Sequence, residues 1–162
     1  MHKILVINPG STSTKISVFT DLEVTRSETL KHTTDEIKSH PHIWDQFDFR
    51  FNAIDKWLHS NNIDLKEFSA VATLGGLFRS LGGGVYEVND KMLLDARANL
   101  QGEHASNLGC ALAYDIASKY NCPAFVVDPV SVDEFEPLAF YSGHPIIKRK
   151  CLSHALSIHA AA

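Results

Sequence analysis

Two short apolar segments, separated by a polar turn, form the beginning of the sequence in KILVINPGSTSTKISVF (residues 3–19). The first segment is a continuous run of isoleucine, leucine and valine (residues 4–7), which is typical of a strand buried on both faces. The second segment (residues 16–19) follows threonine and serine in near alternation, which is also typical of a strand. The turn between them combines an amide, a glycine, hydroxyls and an ammonium group: Asn8, Gly10, Ser11, Thr12, Ser13 and Lys15. The sequence therefore predicts a β-hairpin whose tip is either an ordinary polar turn, the plainer interpretation of its composition, or a cradle for phosphate.

The predicted tip matches neither of two well-known phosphate-binding loops. The Walker loop, G-x-x-x-x-G-K-[ST], needs a second glycine and a following helix, whereas residues 10–15 contain one glycine and lead into a strand. The dinucleotide-binding pattern G-x-G-x-x-G is also missing, which disfavours a Rossmann-type oxidoreductase. A phosphate bound here would be held by backbone N–H groups, hydroxyls and Lys15 at a hairpin tip, without the dipole of a helix.

Strands come before helices along the rest of the chain. In residues 22–32, Leu22, Val24, Arg26, Glu28 and Leu30 share one parity, and the charges predict an antiparallel edge strand. A short helix at Thr34 then ends at a proline. The next predicted elements are a helix over residues 43–59 and a strand and glycine-rich loop over 68–86. Two helices follow, over 89–100 with a cap at Asn89 and over 106–120 with a cap at Ser106 or Asn107. A buried strand over 124–128 comes last. This order predicts an α/β domain with a mixed sheet.

Composition excludes several classes of protein. The formal net charge of −4, with no block of lysine or arginine, argues against a nucleic-acid binder. No apolar run approaches the ~20 residues of a membrane span, and the N-terminus lacks the order of a signal peptide. Cys110, Cys122 and Cys151 are an odd set without paired spacing, which is typical of reduced thiols, and Cys110 lies in a predicted core stripe. We therefore expect a cytoplasmic protein with no nucleic-acid or membrane partner.

Four segments together resemble one family. They are NPGSTSTK, GGLFRSLGGGVYEVNDKML, HASNLG and PAFVVDPVSVDE, and they occur in this order over residues 8–134. In sequence, order and spacing they resemble the acetokinase family in its butyrate kinase form, which comprises acyl kinases with the fold of actin, sugar kinases and Hsp70-type ATPases. The resemblance implies an RNase-H-like α/β domain with antiparallel N-terminal hairpins, then parallel strands with crossover helices.

The resemblance also implies an activity and a set of site residues. The activity is reversible phosphoryl transfer from ATP, with Mg²⁺, to a short-chain carboxylate such as butyrate or isobutyrate, in a cytoplasmic homodimer. The implied residues are Asn8 at the metal; Gly10, Ser11, Thr12, Ser13 and Lys15 at the phosphates; Gly75, Gly76 and Arg79 at the substrate; and Asp128, His104 and His154 as catalytic groups. Asp128 ends a predicted strand, where open α/β sheets commonly place their chemistry.

Several of these residues have a plainer interpretation. Asp128 precedes a proline and is suited to capping a turn, and each histidine is equally suited to a place beside or within a helix. The three glycines of residues 82–84 either permit unusual backbone angles or form a mobile substrate loop. Leu74 stands where the relatives carry a basic residue before the Gly-Gly pair, which puts the affinity for a carboxylate in question. A non-catalytic nucleotide-binding or interaction module is therefore the alternative function.

The C-terminal segment predicts a helix that continues to the last residue, without a stop signal. We expect the 162 residues to be a truncated N-terminal domain, because the adenosine-binding half of the family has no counterpart in them. On its own, such a portion is expected to have very weak or no kinase activity.

Overall fold

A six-stranded mixed sheet forms the centre of the computed structural model, which describes residues 1–146. Cys151, His154 and the predicted C-terminal helix lie outside the described residues. The strands are β1 (Lys3–Pro9), β2 (Ser13–Thr20), β3 (Glu23–Lys31), β4 (Ala70–Thr73), β5 (Val85–Glu87) and β6 (Ala124–Val127), in the order β3-β2-β1-β4-β6-β5. The helices are α1 (Thr34–Lys38), α2 (Phe47–Ser60), α3 (Asp90–Arg97) and α4 (Asn107–Lys119).

The strand directions confirm the predicted fold class. β1, β2 and β3 form an antiparallel meander, and β4 and β6 then pair in parallel with β1 and with each other. In the first hairpin Asn8 lies opposite Lys15, and Pro9 lies opposite Thr14. β5 pairs antiparallel with β6 in a segment that was predicted to be loop. Its three residues are too few to show any periodicity, so pairing with β6 decides the conformation there.

The hydrophobic core lies between the sheet and the longer helices. α4 packs on β1, β4 and β6, and α2 packs on α4. Apolar side chains that are fully buried in this layer are Leu5, Ile7, Ile16, Ile54, Leu108, Leu112 and Val126. Cys110 is also fully buried there, as predicted, and burial raises the pKa of its thiol to about 12. Within residues 1–146, no helix is both long enough and apolar enough to cross a membrane.

The helix ends follow the predicted caps with three differences. Asn89 caps α3 by accepting a hydrogen bond from the Met92 amide at 3.1 Å, but the helix ends at Arg97 rather than near residue 100. The predicted helix over residues 43–59 begins with a 3₁₀ turn, Ile43–Gln46, before α2 proper. Ser106 occupies the N-cap of α4 without forming a side-chain cap bond, because its hydroxyl is bonded to His104.

Candidate functional site

Three of the predicted motifs meet at one edge of the sheet. The parallel strands β1, β4 and β6 have their carboxyl ends at this edge, and they lead into the turn of residues 10–13, into Gly75-Gly76 and into Asp128. The first turn of α4 packs against the same edge, since Gly76 approaches Asn107 closely. The topology therefore brings together the hairpin tip, the glycine pair and the strand-end carboxylate.

The carbonyl groups of Ser11, Thr12 and Ser13 at the hairpin tip are all hydrogen-bonded within the protein. The Ser13 carbonyl accepts the Gly10 amide at 2.7 Å, and the Thr12 carbonyl accepts the His32 amide at 2.9 Å. The Ser11 carbonyl is also occupied, by a buried side chain. In contrast, the amides of Ser11 and Thr12 have no acceptor within the described part of the chain, and both residues are exposed. The tip therefore presents backbone donors to the outside, which is what an anion needs.

The buried side chain beneath the tip is Arg50, on the core face of α2. Its Nη1 donates to the Ser13 carbonyl at 3.1 Å and to Thr14 Oγ1 at 3.0 Å, and its Nη2 donates to the Ser11 carbonyl at 3.2 Å. Gln46 Oε1 accepts the remaining bonds, from Nε at 3.1 Å and from Nη2 at 2.9 Å. Burial lowers the pKa of Arg50 to about 10, so the guanidinium stays charged at neutral pH.

Sequence reasoning missed Arg50, although a signal was present. Gln46, Arg50, Ile54 and Leu58 follow one another at intervals of four residues, so that all four lie on one face of a helix. All four are buried. Two polar residues on the core face of a predicted helix require specific hydrogen-bond partners, and that requirement could have identified them as candidate site residues.

Asn8 and Lys15 lie on the other face of the sheet. Along β1 the buried residues are Leu5, Ile7 and Pro9, and Asn8 has the opposite parity and is half-buried. Lys15 is exposed, and it lies between the buried Thr14 and Ile16. As directly paired residues of antiparallel strands, Asn8 and Lys15 have neighbouring side chains. An amide oxygen and an ammonium group thus flank the tip on the face opposite Arg50.

His104 shares a cavity with the hairpin tip. The cavity has a volume of about 280 Å³, and Ser11, Ile43, Gln46, Glu103 and His104 are among its lining residues. The Ser106 amide donates to His104 Nδ1 at 3.2 Å, so the neutral ring carries its proton on Nε2. Within residues 1–146 that N–H has no acceptor, and it belongs to a residue that lines the same cavity as Ser11. His154, the second predicted histidine, lies outside the described residues.

Asp128 is tied to the glycine loop of residues 82–84. Its Oδ1 accepts the Gly84 amide at 2.7 Å, while its own amide donates to the Gly84 carbonyl at 3.0 Å. Glu134 Oε1 accepts the neighbouring Gly83 amide at 2.9 Å. Asp128 also has a positive φ of 40°, which is unusual for a residue with a side chain. One carboxylate oxygen therefore orders a loop, as in the plainer interpretation, and Oδ2 has no partner within residues 1–146.

Arg79 forms an ion pair rather than pointing freely into a cavity. Its Nε and Nη2 donate to the two oxygens of Asp95, at 2.6 and 2.7 Å, and the hydrogen bonds from Arg79 hold the pKa of Asp95 below its ordinary value. A cavity of about 180 Å³ lies beside the pair, with Phe78, Leu81 and Met92 among its lining residues. Arg79 thus has only part of its donor set available for a carboxylate.

Gly75 and Gly76 are both buried, and the packing of the sheet edge requires them. Gly75 has a φ of +67°, and a Cβ there would overlap Val126. A Cβ on Gly76 would lie 2.5 Å from Asn107 Oδ1, which accepts the Leu77 amide at 2.8 Å. The pair therefore has a structural role that is independent of any substrate contact.

The described residues contain no ready-made metal cage. No three His, Cys, Asp or Glu side chains among residues 1–146 are placed to hold a metal ion together. Mg²⁺ commonly keeps several waters and takes only one or two protein oxygens together with substrate phosphates. A single amide oxygen, that of Asn8, beside the hairpin tip fits this ion.

Comparison with solved structures shows the fold. The acetate kinase of Entamoeba histolytica is similar over 89% of this chain and 40% of its own length, with 15% sequence identity and a TM-score of 0.52. The chain therefore shares the fold of that enzyme over this region. The propionate kinase of Francisella tularensis subsp. tularensis SCHU S4 matches 90% of this chain and 39% of its own, at 17% identity and a TM-score of 0.45. The acetate kinase of Porphyromonas gingivalis matches 99% and 44%, at 15% identity and a TM-score of 0.47.

The chain spans about two fifths of the length of these three kinases. No protein-family model matches it.

Proposed function

We propose that this chain is the phosphate-binding portion of a kinase that transfers the γ-phosphoryl group of ATP to a short-chain carboxylate, of the butyrate kinase type. The observation that carries the proposal is the hairpin tip, whose carbonyls are bonded inward while the Ser11 and Thr12 amides face outward. An ordinary polar turn does not need a buried cation beneath it. Donors preorganised in this way bind phosphate oxygens without reorganisation.

Each proposed site residue has a distinct task. The amides and hydroxyls of residues 10–13 bind the phosphates, and Lys15 adds a positive charge. Asn8 is suited to supply one oxygen to Mg²⁺, which when bound reduces the repulsion between the phosphates and the substrate carboxylate. The Nε2–H of His104 donates to the transferring phosphoryl group, where negative charge collects.

Asp128 orients the substrate or the water around the metal through its free oxygen. A general base is not needed, because a substrate carboxylate is already deprotonated at neutral pH. Gly75 and Gly76 bring the backbone close to the reacting groups, and Arg79 is the nearby cation in the motif that lacks a basic residue at Leu74. His154 remains the second proposed phosphoryl donor. The acid is butyrate or a branched relative such as isobutyrate, and the intact protein is proposed to be a cytoplasmic homodimer.

The second candidate is a non-catalytic nucleotide-binding module with the same fold. Two observations favour it: Leu74 carries no charge, and Arg79 is already paired with Asp95. A module of this type would bind MgATP at the hairpin tip but would not form an acyl phosphate. Both candidates therefore predict MgATP binding, and only the kinase predicts formation of an acyl phosphate.

The test measures binding and turnover separately. Calorimetry with MgATP compares the chain with Lys15→Met and with Lys66→Met, a control in which an exposed lysine just before β4 loses its charge. We expect roughly tenfold weaker binding for Lys15→Met only, because one nearby charge is lost. Acyl phosphate is then trapped with hydroxylamine from MgATP and butyrate, isobutyrate, propionate or acetate, with this chain and with the product of its full reading frame.

Turnover with one of the acids supports the kinase. MgATP binding without turnover in the full reading frame supports the binding module. Absence of MgATP binding from both proteins, with the fold intact by circular dichroism, contradicts both candidates.

A further inference from the structure

The guanidinium of Arg50 is fully buried and lacks an anionic partner. Its five N–H groups all donate to neutral oxygens, namely two backbone carbonyls, a hydroxyl and a side-chain amide. No ion pair in the described residues includes Arg50. Its Cζ lies 5.6 Å from the centre of the Phe49 ring, and this cation–π contact offsets only part of the cost of burial.

Gln46 is informative because a glutamate would fit the same position. Its Oε1 already accepts two of the five bonds, from Nε and Nη2, and a glutamate oxygen could accept the same pair while neutralising the charge. A glutamate would gain an ion pair with Arg50 and would lose the bond that Gln46 Nε2 donates to the His40 carbonyl at 3.3 Å. The amide keeps the hydrogen bonds and leaves the positive charge uncompensated.

We propose that Arg50 is the positioning residue of the phosphate-binding turn, and that its uncompensated charge stabilises the bound polyphosphate of a nucleotide. The inference rests on the proposed function, because it concerns the same hairpin tip. Arg50 acts through the turn and does not touch the ligand, since it is fully buried.

Arg50 has two effects on the turn. The first is geometric: by holding the Ser11 and Ser13 carbonyls, it keeps the tip in the conformation that turns the Ser11 and Thr12 amides outward. The second is electrostatic. A β-hairpin has almost no net dipole, so a fixed charge must supply the positive potential that a helix N-terminus gives to other phosphate sites.

Three variants separate these effects. Gln46→Glu keeps the acceptor for Arg50 Nε and Nη2 and neutralises the charge, although it loses the bond from Gln46 Nε2 to the His40 carbonyl, while Arg50→Lys keeps the charge and loses the fork. Asn52→Asp is the control, because it adds one negative charge on the exposed face of the same helix. Each variant is compared with the natural chain for its melting temperature and for its affinity for MgATP and for pyrophosphate, at low and at moderate salt.

We expect stability and affinity to change in opposite orders. Gln46→Glu should keep a melting temperature close to that of the natural chain, because the new ion pair offsets the lost bond to the His40 carbonyl, and should bind MgATP about tenfold more weakly. Arg50→Lys should melt at a lower temperature and still bind more tightly than Gln46→Glu. Asn52→Asp should bind within about twofold of the natural chain, because water and salt screen an exposed charge.

Two results would overturn the inference in distinguishable ways. If the natural chain binds MgATP and Gln46→Glu binds it equally well, Arg50 has only a structural role, and the proposed function stands. If affinity simply follows melting temperature across the variants, the same conclusion holds. If neither the natural chain nor the product of its full reading frame binds MgATP or pyrophosphate, the proposed function fails, and the inference fails with it.

Discussion

Alanine at two glycines of the site should have opposite consequences, because the space around the two residues differs. A Cβ on Gly76 would lie 2.5 Å from Asn107 Oδ1, 2.6 Å from its Cα and 2.8 Å from its amide nitrogen. Two of these atoms belong to the backbone at the start of α4, so the first turn of that helix has to move. A Cβ on Gly10 would meet nothing closer than the Ser13 carbonyl oxygen at 3.5 Å, an ordinary contact.

The free energy of unfolding should therefore fall for Gly76→Ala only. Overpacking of a well-packed site costs about 1–3 kcal/mol. Displacing Asn107 also disturbs its 2.8 Å bond from the Leu77 amide, for about 1 kcal/mol more. The sum, about 2–4 kcal/mol, corresponds to a melting temperature lower by roughly 5–15 °C in a chain of this size. Gly10→Ala should change the free energy of unfolding by less than about 0.5 kcal/mol.

Calorimetric melting and urea titration of the two variants test the stability argument, and MgATP titration tests the function of Gly10. We expect Gly10→Ala to keep its melting temperature and to lose affinity, because a methyl group would stand where a phosphate approaches the backbone. Equal losses of stability in the two variants would refute the reasoning from Cβ space. Unchanged MgATP affinity in Gly10→Ala would refute a phosphate contact at that glycine.

Four further predictions concern buried polar groups. Burial lowers the pKa of His32, the charge of Arg50 lowers it further, and the weaker effect of Glu36 opposes the shift. Urea titrations should therefore show stability falling as the pH drops below ~6.5, and His32→Gln should remove that slope. Thr73 Oγ1 is buried without a hydrogen bond in residues 1–146, so Thr73→Val should raise the free energy of unfolding by about 1 kcal/mol in the same titration. The pKa of Asp95 is lowered, so its ionised form stabilises the fold above pH ~4, and this stabilisation is lost as the pH falls through the native pKa. Acid titrations of Asp95→Asn should not show that loss. The raised pKa of Cys110 implies that iodoacetamide, followed by peptide mapping, modifies it only as fast as the chain unfolds.

Local patterns predicted most of the sheet and the order of its elements. The apolar run of β1 and the alternation of β2 reflect which faces of those strands are buried, and the charges of β3 fit an edge strand that is exposed along almost its whole length. The loop predicted where β5 lies was wrong, because three residues are too few to show a periodicity and their conformation depends on pairing with β6. The end of α3 was misplaced because Asn99 was not taken as a stop signal, although asparagine often follows a helix cap with a positive φ, here 48°.

The candidate site was harder to predict than the fold, because its geometry depends on contacts between distant segments. Asp128 could be placed at a strand end from the sequence, but its bond to the Gly84 amide joins segments 44 residues apart. In the same way, Arg79 was proposed as a free cation, although Asp95, sixteen residues later, holds two of its nitrogens. Motif resemblance identifies which residues matter together, but it does not show which of their donors are already in use.

The proposed role of Arg50 explains why a phosphate site on a hairpin would need help from outside its motif. A helix N-terminus supplies aligned donors and a dipole from its own backbone, so that its loop sequence is sufficient to mark the site. A hairpin tip supplies only a few amides, and its carbonyls would repel an anion unless something bonds them on the other side. Here α2, a separate element 36–39 residues away from the tip, provides a guanidinium that satisfies those carbonyls and leaves its charge free to act. Any change that neutralises this cation should therefore weaken anion binding even when the visible motif at the tip is untouched.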